Sequence, residues 1–174
     1  MAPSRRTTLA PQGHTPLLIE MAGHHRKVSI AGALIRWPRS GRSRLAFETY
    51  PDQNVDGYLY SEFLRNLIRR VRGPMIVVHD RGGNHHNEWV DELQDDFPWL
   101  ILERLPPYAP ELNPMEAVWN FLADKQLVNY APYSVVDLDE AAHDQLQPII
   151  HDQRRMRTFF ASSPLTWQGF VSRL

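Results

Sequence analysis

Two short apolar runs constrain this chain more than any other feature. Met75–Val78 (MIVV) and Leu100–Leu102 (LIL) are too short for helices, and the first is rich in β-branched side chains. Residues 84–96, between them, carry a helical pattern. Strand, helix, strand is a crossover unit, which requires a parallel pair with helices on the sheet's faces. The first run reads as a strand buried on both sides, the second as the start of another buried strand ending near Leu105.

The rest of the sequence fits an α/β class. VSIAGALIRW (28–37) and RLAFETY (44–50) flank a PRSG turn and predict a hairpin. Over 55–72, Leu59, Phe63, Leu64, Leu67, Ile68 and Val71 recur at three- and four-residue spacing, and Gly73-Pro74 ends the helix. Further helices are expected over 114–127 and from a Ser134 cap to about 147. Residues 151–174 are expected to form a helical tail. Leu17–Met21 predicts a short strand after an irregular opening segment, 1–16, that holds Pro3, Pro11, Gly13 and Pro16. No apolar run reaches the roughly 20 residues of a membrane span, and the N-terminus lacks a signal peptide's apolar core. There is no cysteine, hence no disulfide and no thiolate metal site. A soluble, cytoplasmic protein is expected.

A formal net charge of −1 conceals a polarised chain. Residues 1–79 hold 12 Lys/Arg and 5 Asp/Glu, residues 80–152 hold 3 and 15, and residues 153–174 hold 4 and none. Seventeen of the 19 basic residues are arginine, the side chain that pairs with phosphate in a planar, two-point fashion. A basic half beside an acidic half suits gripping a polyanion next to metal cations; the competing reading is a solvated mixed surface. Arg36, Arg39, Arg42 and Arg44 crowd the hairpin tip and form the best candidate DNA-phosphate patch, with Arg154, Arg155 and Arg157 second.

Two carboxylates stand out. Asp80 ends the MIVVHD run, where ligand sites form in open α/β sheets. Its competing role is a turn aspartate for Gly82-Gly83. Glu116 sits in LNPMEAVW, where Asn113 can cap and Pro114 can open a helix; its competing role is a capping-box bond back to Asn113. Thirty-five residues separate the two acids. One helix and one strand lie between, so both can reach the same sheet edge. Oxygen ligands of this kind suit Mg2+ or Mn2+, and a two-metal site would clamp the attacking and leaving oxygens of a phosphodiester. His24-His25, His79 and His85-His86 lack zinc-site spacing, and His79-Asp80 alone is a weak phosphohydrolase signal. Trp89, Trp99, Trp119 and Trp167 read as core.

VVHDRGGNHH and ERLPPYAPELNPMEAVW together resemble the catalytic region of mariner-type transposases and their bacterial insertion-sequence relatives, the DDE superfamily endonucleases. TTLAPQGHTPLL resembles the family's tryptophan-initiated opening segment, with Leu9 in the tryptophan's place, and VSIAGAL its second strand. Arg104–Trp119 is the most specific stretch. The resemblance implies a ribonuclease H-like mixed sheet flanked by helices. It implies Asp80 and Glu116 as catalytic, metal-holding acids and His85 as their assistant, with Arg81 and the hairpin arginines positioning phosphates. The implied reaction is metal-dependent DNA strand cleavage and transfer, with Mg2+ or Mn2+ as cofactor. The family's usual lysine after the tryptophan is Ala123 here, with Lys125 nearby.

The family's first acid belongs to an Asp-Glu pair that would lie upstream of Pro3. On this reading residues 1–174 are one truncated catalytic domain lacking its first, central strand and incompetent alone. A helix-turn-helix region is missing upstream as well, and Glu20 is no substitute for the absent acid. Its partners would be transposon-end and target DNA, a second copy as a homodimer, and the upstream half of a split transposase. No membrane partner is expected. Two alternatives stand beside it: a non-catalytic DNA-binding or dimerisation fragment, and a metal-dependent phosphohydrolase.

Overall fold

The computed structural model describes residues 27–85, 87–123, 127, 130 and 132–166. The hairpin forms as expected: β1 (Val28–Arg36) and β2 (Ser43–Pro51) pair antiparallel, with Leu34 opposite Leu45. Gly41, at φ +65, closes the turn by donating its N–H to the Trp37 carbonyl at 2.9 Å. That backbone region favours glycine.

Strict alternation gives the hairpin two different faces. Val28, Ile30, Leu34, Leu45 and Phe47 point to one side, Ala31, Ala33, Ile35 and Ala46 to the other. Helix α1 (Gly57–Val71) lies on the alanine-rich side. The Asp56 carboxylate caps it, accepting the Leu59 N–H at 2.9 Å. Its buried stripe includes Tyr60 along with Phe63, Leu64, Leu67 and Ile68. It ends through Arg72 and Gly73, both at positive φ.

β3 (Met75–His79), α2 (Glu88–Asp96) and β4 (Leu100–Arg104) form the expected crossover, with β3 and β4 parallel. A 3-10 turn at Gly83–His85 precedes α2, so this helix starts later than residue 84, and Asn87 caps it. Met75, Val77, Leu100 and Leu102 pack with α1 and α2. The opposite face is open: Ile76, Val78 and Ile101 are 40%, 38% and 47% exposed. This corrects the reading of β3 as buried on both sides. Helices α1 and α2 cover one face, and among the described residues nothing comparable covers the other.

The remaining helices sit on the large-residue face of the hairpin. α3 (Met115–Phe121) falls within the expected 114–127, of which residues 124–126 lie outside the described ones; α4 (Val135–Leu146) is capped by Ser134, and α5 (Gln153–Ala161) follows. Val118, Leu122, Leu146 and Met156 are fully enclosed there with Leu45. The chain thus has two apolar clusters, one on each side of β1–β2. Among the described residues the sheet is in two halves, β1–β2 and β3–β4, with no strand joining β1 to β3. The expected strand at Leu17–Met21, Glu20, His24-His25, His86, Lys125 and Trp167 lie outside the described residues. Trp89 and Trp99 are 44% and 36% exposed rather than core; Trp89 is in the first turn of α2, whose core-facing positions are taken by Val90 and Leu93, and Trp99 is in the link from α2 to β4.

Candidate active site

The site grows from the C-terminal end of β3. His79, the last strand residue, is buried, and the chain leaves the sheet at Asp80. Asp80 is 46% exposed on its side chain. Its Oδ1 accepts the Gly82 N–H at 2.9 Å, a side-chain turn that a Cβ on Gly82 would crowd, since that atom would sit 3.1 Å from Oδ1 and 2.8 Å from Asn84 Oδ1. His85 Nδ1 is buried and 2.6 Å from the same Oδ1, within ion-pair range though not aligned as an N–H···O bond. Oδ2 has no protein hydrogen bond among the described residues. The turn reading and the ligand reading of Asp80 are therefore compatible, one oxygen serving each.

Glu116 comes from the other side. α3 reaches β1 closely because Gly32 has no side chain: a Cβ there would meet Met115 Cε at 2.7 Å and Trp119 Cη2 at 2.8 Å. Asn113 Oδ1 accepts the Met115 N–H at 3.1 Å, which fixes the helix start. The Asn113 N–H itself donates to the Pro110 carbonyl at 3.0 Å, so the capping-box bond from Glu116 does not form and its carboxylate stays uncommitted among the described residues. Burial raises the Glu116 carboxyl above the usual range, and the negative charge of Asp80 raises it further. The two acids thus feel each other across the gap between α3 and the end of β3.

Beside them opens a cleft of about 830 Å³, lined by Ser29, Ile30, Asp56, Gly83, Asn84 and Trp119 among others. Asp80 and Glu116 do not line it; it lies between the start of β1 and the turn that carries His85. Arg81 donates its Nε–H to the Leu105 carbonyl at 3.1 Å, fastening the turn to the end of β4. The hairpin arginines lie elsewhere. Arg36 is at the end of β1 farthest from the cleft, about seven strand residues or roughly 24 Å from Ser29. It stacks on Phe160, while Arg39 and Arg42 are exposed and Arg44 is half-buried. Arg155 lies over the Phe121 ring, a packing role rather than a free phosphate contact.

The donor chemistry suits a hard divalent cation. Glu116 and Oδ2 of Asp80 are uncommitted among the described residues, and a cation there would relieve the repulsion that adds to burial in raising Glu116. Among the described residues no three His, Cys, Asp or Glu side chains converge, so a cation here would take its remaining ligands from elsewhere. Sequence reasoning missed Tyr60, which nothing in the sequence distinguishes from another core aromatic; the Gly82 contact was anticipated by the turn reading of Asp80.

The pattern of the DDE superfamily endonucleases matches residues 1–135. Among solved structures, the Mos1 mariner paired-end complex with Mn is 16% identical over 93% of this chain and 52% of that one, with a TM-score of 0.56. The Mos1 transposase paired-end complex with left transposon end is 18% identical over 92% of this chain and 51% of that one, at 0.49. The catalytic domain of Mos1 mariner transposase is 17% identical over 80% and 83%, at 0.43. The chain spans about half the length of the first two structures. The first of these likenesses shows a ribonuclease H-like fold, as the sequence resemblance implied. No curated protein matches the chain. Among the described residues no helix is long and apolar enough to cross a membrane.

Proposed function

The chain belongs to the DDE superfamily endonucleases, and from that membership we propose that it is the catalytic portion of a mariner-like transposase, acting on transposon-end and target DNA. The observation that carries this reading is the approach of Glu116, at the start of α3, to Asp80, at the end of β3, where the Asp80 charge adds to burial in raising the Glu116 carboxyl. Asp80, through Oδ2, and Glu116 would hold Mg2+ or Mn2+. Bound there, the cation supplies Lewis-acid stabilisation of the phosphodiester's oxygens and of the leaving oxygen. His85 and Gly82 fix Asp80 so that its free oxygen keeps one position. Arg81, tied to Leu105, keeps the turn from swinging away. The exposed arginines of the hairpin grip the DNA backbone at a distance from the reacting phosphate.

The described residues bring two acids together, and the inner edges of β1 and β3 are unpaired among them. We therefore read the chain as dependent on a third carboxylate, on a strand between those edges, for strand cleavage. The same two observations support a second reading, a DNA-binding fragment without cleavage activity of its own.

The experiment is a Mn2+ titration of the chain followed by electron paramagnetic resonance, with supercoiled DNA nicking measured alongside. The metal reading expects saturable Mn2+ binding that Asp80→Asn and Glu116→Gln each abolish. Absence of saturable binding, with salt-dependent DNA binding retained, would favour the second reading. Vigorous nicking by the chain alone, lost in Asp80→Asn, would show that no further acid is needed. Hydrolysis of small phosphodiesters with no action on DNA would point to a phosphohydrolase instead.

A further inference from the structure

Behind Asp80 stands a stack of three rings that no motif announces. Tyr60, in the second turn of α1, is 7% exposed and packed in the cluster under the sheet. Its ring centroid is 4.2 Å from that of His85 and 6.2 Å from that of His79, and the two imidazoles are 5.5 Å apart. Tyr60 and His79 are almost coplanar in orientation, 13° apart, whereas His85 is tilted 38° from both. The His85 imidazole is thus walled by a buried phenol ring on one side and meets Asp80 Oδ1 with its Nδ1.

Hydrogen bonds hold the backbone of the turn that carries His85: the His85 N–H donates to the Gly82 carbonyl at 2.8 Å, Asn87 Nδ2 to the Asn84 carbonyl at 2.9 Å, and Arg81 to Leu105. It is a single 3-10 turn with no buried residue, and the glycines Gly82 and Gly83 precede His85 by three and two positions. The ring wall adds a restraint on the His85 imidazole itself, which those backbone bonds do not touch. Offset and tilted aromatic contacts of this kind contribute about 0.5–1.5 kcal/mol beyond the area they bury.

We infer that Tyr60 is a positioning residue for the metal site: its ring holds His85 in place, His85 and the Gly82 amide hold Asp80 Oδ1, and Oδ2 is thereby turned outward to a cation. The inference rests on the reading of Asp80 as a metal-holding acid. It assigns Tyr60 no contact with substrate and no proton transfer. It makes the identity of a core helix residue matter to the site through two intermediaries.

Four forms of the full chain test it: Tyr60→Leu, Tyr60→Phe, His85→Ala and the Tyr60→Leu/His85→Ala double variant. The probe is Mn2+, its affinity read by paramagnetic resonance. Losses at positions that orient a ligand are about 10–100-fold in metal affinity. Tyr60→Leu and His85→Ala should each weaken Mn2+ by about tenfold. Tyr60→Phe, which keeps the ring, should restore affinity to within about twofold of the unsubstituted chain. In the double variant the loss should equal that of His85→Ala alone, because Tyr60 acts only through His85. A folded Tyr60→Leu with unchanged affinity overturns the inference, as does a further tenfold loss on the His85→Ala background.

Nitrogen NMR of His85 gives an independent reading that needs no metal. Asp80→Asn should shift the Nδ1 resonance, and Tyr60→Leu should reproduce that shift while Tyr60→Phe does not. If the unsubstituted chain binds no Mn2+, the metal reading fails, and this comparison alone decides whether Tyr60 orients the His85–Asp80 pair. Should Tyr60→Leu not fold, the Tyr60→Phe spectrum decides: an unshifted Nδ1 with tight binding supports the ring as the restraint, and a shifted one overturns it.

Discussion

At the scale of single residues, the site is governed by where charge can be tolerated. Glu116 is held above the ordinary carboxyl range by burial first and by Asp80 second. Its protonated form is therefore favoured by folding. That contribution is complete below the unfolded pKa and is lost as pH rises through the folded one. Two outcomes follow. Glu116→Gln should raise the thermal midpoint near neutral pH, by about 1–2 °C for a chain of this size, with no gain at acid pH. In a carbon NMR titration, Asp80→Asn should lower the Glu116 midpoint, while the part due to burial remains. Mn2+ affinity should correspondingly climb with pH through the Glu116 titration, because only the ionised carboxylate can be a ligand.

Among the elements, α3 is held in place by Gly32. Gly32→Ala forces the Trp119 ring or the Met115 methyl to move, and overpacking of this sort costs about 1–3 kcal/mol. Trp119 is one turn from Glu116, so the same substitution should also weaken Mn2+; chemical denaturation and the Mn2+ titration together check this. Most elements were legible in the sequence because period and punctuation agreed. Ser134, the PRSG turn and Gly73-Pro74 each mark a boundary within one or two residues of the observed one. Asp80 and Glu116 were legible because their places at a strand end and a helix start follow from those same boundaries. Burial was less legible. An apolar run such as MIVV shows that a strand forms, but only the partners decide how many of its faces are covered, and here β3 has helices on one side. Tyr60 was hidden for a related reason: the helical stripe it belongs to reads equally well with Leu59 at its edge, and its contact with His85 bridges 25 positions in sequence. The open face makes its own test. Ile101→Lys should change stability by no more than about 0.5 kcal/mol, as for other exposed positions, and should reduce the binding of an apolar dye.

Across the whole molecule, the exposed Arg39 and Arg42 lie in the turn joining β1 to β2, on a different element from Asp80 at the end of β3 and Glu116 in α3. Each of Arg39→Ala and Arg42→Ala should weaken DNA binding for all sequences alike and lower the salt slope by about one, measured by fluorescence anisotropy across a salt series. The two apolar clusters bear on the site differently. Asp80 depends on the cluster shared by α1, α2 and the parallel strands, and Glu116 on the one shared by α3, α4 and α5. The hairpin is the party wall between them. Units of this kind can open separately in native-state hydrogen exchange, each with its own protection. An ion held jointly by Asp80 and Glu116 would tie one unit's opening to the other's, so the amides of α2 and α4, far apart in sequence, would slow their exchange together.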